Sequence, residues 1–254
     1  MASGKREDKA DPEAEIIRAF EKATRTHRFC PNRVWAIAGT LPGKEKNLPL
    51  LFPPEDENIE RLFSNPGYRE FNENDRHGRC TLKFCERSQM NFTSVPQRHE
   101  STSCEGKQCN PISDRFDRRR LDVSAYKGGS TAWHLNGRSV VAADQNFMAI
   151  SHVWSDGTGT GAWPEGQINR CLYGFFASIA RQLECHGIWW DTICIPREKS
   201  ARAKAISAMH QNYEDAKVTL IHDCFLRNLE WIDAETACLA IVMSPWFSRG
   251  WTAL

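Results

Sequence analysis

Three short apolar runs, separated by stretches long enough for helices, constrain this chain more than any other feature. Phe147-Met-Ala-Ile-Ser-His-Val-Trp is continuous and of strand length, as suits a central strand buried on both faces. Ile188-Trp-Trp, entered through Gly187, and Val218-Thr-Leu-Ile-His are two more such runs. Between the first and second, Pro164 to Cys185 has helical spacing, with Ile168, Leu172, Phe175, Phe176, Ile179 and Leu183 on one side. Between the second and third, Arg202 to Tyr213 reads as a helix with Ala205, Ile206 and Met209 on its inner face. Ala234 to Met243 reads as a further helix from its Ala and Glu content. Alternation of this kind predicts an α/β fold, a parallel sheet with helices on its faces.

Upstream the texture differs. Asp11-Pro12 should start a helix, with Asp as N-cap and Pro at the first helical position. Gly39 to Pro54 is rich in breakers, and Asn58 to Asp122 shows little periodicity. The sequence changes again near Gly128-Gly129. Thr131-Ala-Trp-His-Leu, Asn136-Gly137 and Arg138-Ser-Val-Val predict a β-hairpin closed by a type I′ turn. The expected division is an irregular Cys-rich region with an N-terminal helix over 1–124 and an α/β domain over 125–254.

Charge balance excludes several functions. Lys and Arg number 33 against 32 Asp and Glu, for a net charge of +1, which argues against a basic nucleic-acid binder. The longest strongly apolar run, Ala237 to Met243, is too short to span a bilayer. The polar N-terminus offers no secretory signal, so a cytoplasmic, reducing location is expected. Ten cysteines in such a place serve as small apolar residues, metal ligands or nucleophiles. Cys171, Cys185, Cys194, Cys224 and Cys238 lie in apolar or helical stretches and read mostly as core. Cys80, Cys85, His99, Cys104 and Cys109 lie in a polar stretch, and four of these five could hold a structural Zn²⁺. Free thiols are the alternative for this group.

Three blocks carry a family resemblance. Ala149-Ile-Ser-His-Val-Trp-Ser-Asp, Ile188-Trp-Trp-Asp-Thr-Ile-Cys-Ile-Pro and Ser244-Pro-Trp-Phe-Ser-Arg-Gly-Trp-Thr-Ala-Leu resemble the blocks of the fungal heterokaryon-incompatibility (HET) domain. Asn212-Tyr-Glu-Asp-Ala looks like the end of the helix after the second block. HET domains in turn look like TIR domains, which implies a TIR- or flavodoxin-like sheet. The last block resembles the TIR pattern Trp-Cys-x-x-Glu, with Trp251-Thr-Ala-Leu at its first four positions. In TIR enzymes that glutamate serves cleavage of the nicotinamide–ribose bond of NAD⁺. The resemblance therefore implies a cell-death effector and NAD⁺ glycohydrolase whose main glutamate would follow Leu254. A non-enzymatic signalling module acting by self-association is the alternative. Neither reading calls for a membrane or for nucleic acid.

The residues themselves point to one edge of the sheet. Ligands of open parallel sheets bind outside the carboxyl ends of the strands, where Ser151, His152, Trp154 and Asp191 should stand. Asp191 could oppose an oxocarbenium-like centre or bind ribose hydroxyls; a helix N-cap is its structural alternative. The loop Asp156-Gly-Thr-Gly-Thr-Gly161 could offer backbone N–H groups to phosphates, through Gly157 and Gly159 above all. Arg249 could pair with phosphate and Trp251 could stack on a base. Cys194 sits between isoleucines, a setting that makes a thiol inert, and Glu235 reads as helix surface.

Overall fold

The structure is a computed structural model. It describes residues 11–39, 47–53, 55–66, 68, 77–86, 95–100, 104, 109–112, 114–128, 131–142, 145–159 and 168–247. Two compact units emerge, one formed by residues 1–90 with 223–254 and the other by residues 91–222.

The first unit is helical. Helix α1 (Pro12–Glu21) starts as expected, with the Asp11 carboxylate accepting from Glu13 N at 3.1 Å. Helices α2 (Pro31–Gly39), α3 (Leu48–Leu51) and α4 (Glu57–Ser64) follow. Helix α4 falls in the stretch read as aperiodic. Asp56 caps it through Asn58 N and Ile59 N, and it buries Ile59, Leu62 and Phe63. Its one apolar face is only two turns long, too short to stand out among the polar residues around it. The core joins Val34, Phe52, Phe63 and Tyr68 to Phe225, Leu239 and Met243 from beyond the second unit. Phe29 meets Phe63 edge-on at 4.8 Å. The helix Ala234–Met243 carries a capping box between Asp233 and Thr236.

The second unit holds the sheet. Its elements are β1 (Pro111–Ile112), α5 (Arg118–Tyr126), β2 (Trp133–His134), β3 (Phe147–His152), β4 (Ile168–Asn169), α6 (Arg170–Gln182), β5 (Gly187–Trp190), α7 (Asp191–Cys194), α8 (Lys199–Ser207), α9 (Met209–Glu214) and β6 (Val218–His222). Strands β5, β3 and β6 are parallel, and β2 pairs antiparallel with β5, so the order is β2-β5-β3-β6. Taken alone, the parallel strands stand second, first, third, the order in which doubly wound sheets begin. All six residues of β3 are buried, as a central strand between two parallel neighbours requires. Trp133, Trp189, Trp190 and Phe176 fill the core around it. Gly187 opens β5 where there is no room for a side chain: a Cβ there would stand 2.6 Å from the Trp133 carbonyl oxygen and strike Val141.

Several expectations need correction. The compact units divide the chain elsewhere than at 124/125. Ile112, Phe116 and Leu121 belong to the sheet's core, and Phe225, Leu239 and Met243 to the helical one. The hairpin forms, with Trp133 opposite Val140, but its loop is longer than a type I′ turn. His134 N–H bonds Ser139 O at 2.9 Å, and of the central pair only Gly137 has positive φ. Asn136 instead accepts Arg138 N–H on its side chain at 2.8 Å. The expected 202–213 helix breaks at Ala208 into α8 and α9. Ala201 and Ala205 pack on Ala125, leaving Ile206 exposed rather than inward.

Candidate functional site

Three parallel strands end in ionisable or polar groups at one edge. His152 closes β3, Asp191 follows β5 directly, and His222 closes β6. His152 and His222 are register partners, so the two imidazoles leave adjacent strands at the same level. They sit where the order of the parallel strands reverses about β3, the place at which doubly wound sheets take their ligands.

His152 is almost wholly buried, and its Nε2 lies 2.5 Å from Asp191 Oδ1. Thr192 Oγ1 donates to the same oxygen at 3.2 Å. Asp191 keeps 17% side-chain exposure, so the carboxylate is held mostly by its neighbours at the strand end. Trp154 stacks along the His152 ring at 6.4 Å and 15°, and Trp190 meets that ring edge-on at 6.2 Å. A Cβ at Gly159 would strike the His152 ring and stand 3.1 Å from Trp154, so this glycine is what lets the loop close over the imidazole. Ser151 is buried in the strand, whereas Trp154 and Asp156 are partly exposed beyond it.

The glycine-rich loop is partly committed to itself. Gly157, at φ 83°, donates its N–H to Trp154 O at 3.2 Å, and Thr158 N–H goes to Asp156 Oδ1 at 2.9 Å. Asp156 thus shapes the turn. Gly161 lies outside the described residues, as do Arg249 and Trp251.

Sequence reading missed the second half of this edge. His222 Nδ1 lies 3.0 Å from Thr158 Oγ1, and its Nε2 lies 3.3 Å from Glu100 Oε1. Glu100 is only 3% exposed at its side chain, and Arg98 Nε stands 2.8 Å from the same oxygen. Arg98 N–H also bonds Gly157 O at 3.1 Å. Nothing local in the polar stretch around Glu100 signals this, because its partner lies 122 positions downstream, the difference between residues 222 and 100.

The cysteines separate by role. Cys194 is fully buried beneath the edge, taking Trp190 N–H on its sulfur at 3.2 Å. Burial pushes its thiol up, the setting of an inert structural cysteine. Cys185 and Cys224 are buried, while Cys238 and Glu235 are exposed. The five residues expected to supply one metal site do not form one set. Cys80 and Cys85 gather with Cys30 and His77, and His99, Cys104 and Cys109 gather with Cys171. Cys171, expected in the core, is instead half-buried in the first turn of α6. His77 had a legible signal in its His-x2-Cys spacing to Cys80; Cys30 and Cys171 come from distant helix starts and had none.

No helix among the described residues is long and apolar enough to cross a membrane. Residues 147–223 match the family model of the Heterokaryon incompatibility protein (HET), a span that runs from the first residue of β3 to just past β6. None of the curated proteins and none of the solved structures matches the chain.

Proposed function

We propose that this chain, whose residues 147–223 match the Heterokaryon incompatibility protein (HET) model, acts in heterokaryon incompatibility and cell death through hydrolysis of NAD⁺ at the nicotinamide–ribose bond. The Asp191–His152 pair carries this reading. As the bond breaks, its electron pair leaves with nicotinamide and positive charge develops at the ribose carbon. A carboxylate oxygen held against that carbon stabilises the oxocarbenium-like species. Asp191 is suited to this role because His152 and Thr192 both fix its Oδ1, so little reorganisation is needed when charge appears. Water then adds to the same carbon, and its proton passes to the Asp191–His152 pair, yielding ADP-ribose and nicotinamide. Trp154 and Asp156, partly exposed beyond β3, would meet the dinucleotide there.

The test is nicotinamide release from NAD⁺ by the natural full-length protein, followed by chromatography. Asp191→Asn should lower the rate by roughly a hundredfold or more, the usual cost of removing one electrostatic stabiliser of the transition state. An unchanged rate in Asp191→Asn would remove the residue from the reaction. No release by the full-length protein would overturn the hydrolase reading in favour of a module that signals by self-association.

A further inference from the structure

Two Cys₃His groups stand in the molecule, one in each compact unit. In each, the four candidate ligand atoms lie within 4.8 Å of one another. We propose that the chain binds two structural Zn²⁺ ions, one at Cys30, His77, Cys80 and Cys85, the other at His99, Cys104, Cys109 and Cys171.

The separations have the size of a coordination tetrahedron. Sulfur at about 2.3 Å and nitrogen at about 2.0–2.1 Å around a tetrahedral ion stand roughly 3.5–3.8 Å apart. His77 Nδ1 lies 3.2 Å from Cys80 Sγ and 3.7 Å from Cys85 Sγ. Cys171 Sγ lies 3.5 Å from both Cys109 Sγ and His99 Nδ1. The sulfur pair is far too long for a disulfide, which closes to about 2.05 Å. Three thiolates and one imidazole are a zinc-selecting set, and four protein ligands close the shell, which makes each site structural rather than catalytic.

Local structure serves each site. A tight turn, with Thr81 N–H bonded to Phe84 O at 2.8 Å, folds Cys80 back beside Cys85 despite their wide spacing. Asn32 Nδ2 donates to Leu82 O at 2.8 Å, fastening that turn to α2 near Cys30. In the second site Asn169 Nδ2 donates to the carbonyls of Gln97 and Arg98 and so fixes the approach of His99. Each site also has a backbone N–H aimed at a sulfur at 3.4 Å, Glu86 to Cys80 and Glu100 to Cys171, the outer-shell bond that steadies a metal thiolate. The second of these donors belongs to Glu100, whose carboxylate faces His222 at the sheet edge. The second zinc therefore anchors the segment that delivers a buried acid to the candidate site, as a positioning device.

The decisive experiment counts metal in the full chain and needs no activity. Elemental analysis after gel filtration should find two zinc per chain. Cys30→Ser and Cys171→Ser should each lower the count to one, and the double variant to zero. If a variant fails to fold, Co²⁺ replacement in the unaltered chain still decides. Thiolate-to-metal charge transfer and tetrahedral d–d absorption should rise together and saturate at two equivalents. A count of zero or one in the unaltered chain, saturation at one equivalent, or two zinc retained in Cys171→Ser would overturn the proposal.

Discussion

The strands β3, β5 and β6 and the two Cys/His segments order the chain by opposite means. Every residue of β3 and β5 is buried, and the apolar area removed from water holds the sheet together. The turn between Cys80 and Cys85 exposes Leu82 and Phe84, each at 41%, and His99 itself is exposed. Apolar burial cannot order such segments, so their order must come from polar bonds or ligands. The difference teaches where each kind of segment is vulnerable: the sheet to cavities, the Cys/His segments to loss of the polar groups that gather them.

Chelation should break the comparison open most widely. Stripping the proposed zinc should speed hydrogen exchange at the Glu86 and Glu100 amides by roughly ten-thousandfold or more, a part of the 10–16 kcal/mol that structural zinc contributes in finger peptides. Exchange in β3 should not change. Equal acceleration in both places would show that the segments and the sheet form one cooperative unit. Next in size is Phe176→Ala. The ring is fully buried and edge-on to Trp190 at 5.2 Å, so truncation should cost about 3–5 kcal/mol. Denaturant midpoints would read this, and zinc content should stay the same.

Asp223→Ala probes the helical unit. This buried carboxylate accepts from Phe225 N at 2.7 Å and from Trp246 N at 2.8 Å. Removing it strands buried donors, and a loss of about 1–3 kcal/mol is expected in the same assay. The smallest effect is one of pH. Burial holds His27 below its ordinary value of 6.5, with Glu60 pulling it up and Lys22 pushing it down. Above 6.5 neither state binds the proton. As pH falls below that value the unfolded chain takes it up first, so stability should decline from pH 6.5 downward. The slope should flatten in His27→Gln; an unaltered slope would assign the acid sensitivity to other groups.

Long-range order was legible where chemistry repeats along the chain. The runs at 147, 188 and 218 became three parallel strands, because an unbroken apolar run of that length has few other ways to be buried. Asp191 and His152 were legible as edge residues for the same reason, although their bond was not. Glu100 and His222 were missed because a buried polar pair leaves no periodic trace. The cysteine and histidine groups show the same limit. His99, Cys104 and Cys109 were grouped by proximity in sequence, and the partner that completes them, Cys171, is 62 residues further on. For Cys80 and Cys85 proximity in sequence misleads, since they gather with His77 and Cys30.

Gly187 limits how far this sequence can drift. A Cβ at this position would meet the Trp133 carbonyl, which is backbone and cannot rotate away. Even alanine would push β2 off β5, and with it Trp133, whose indole N–H reaches Ile193 O at 3.0 Å beneath the candidate site. Lineages that carry this fold are therefore expected to accept changes in the neighbouring tryptophans before they accept any at this glycine. A saturation library at position 187, selected only for soluble expression, should return the parental residue almost alone.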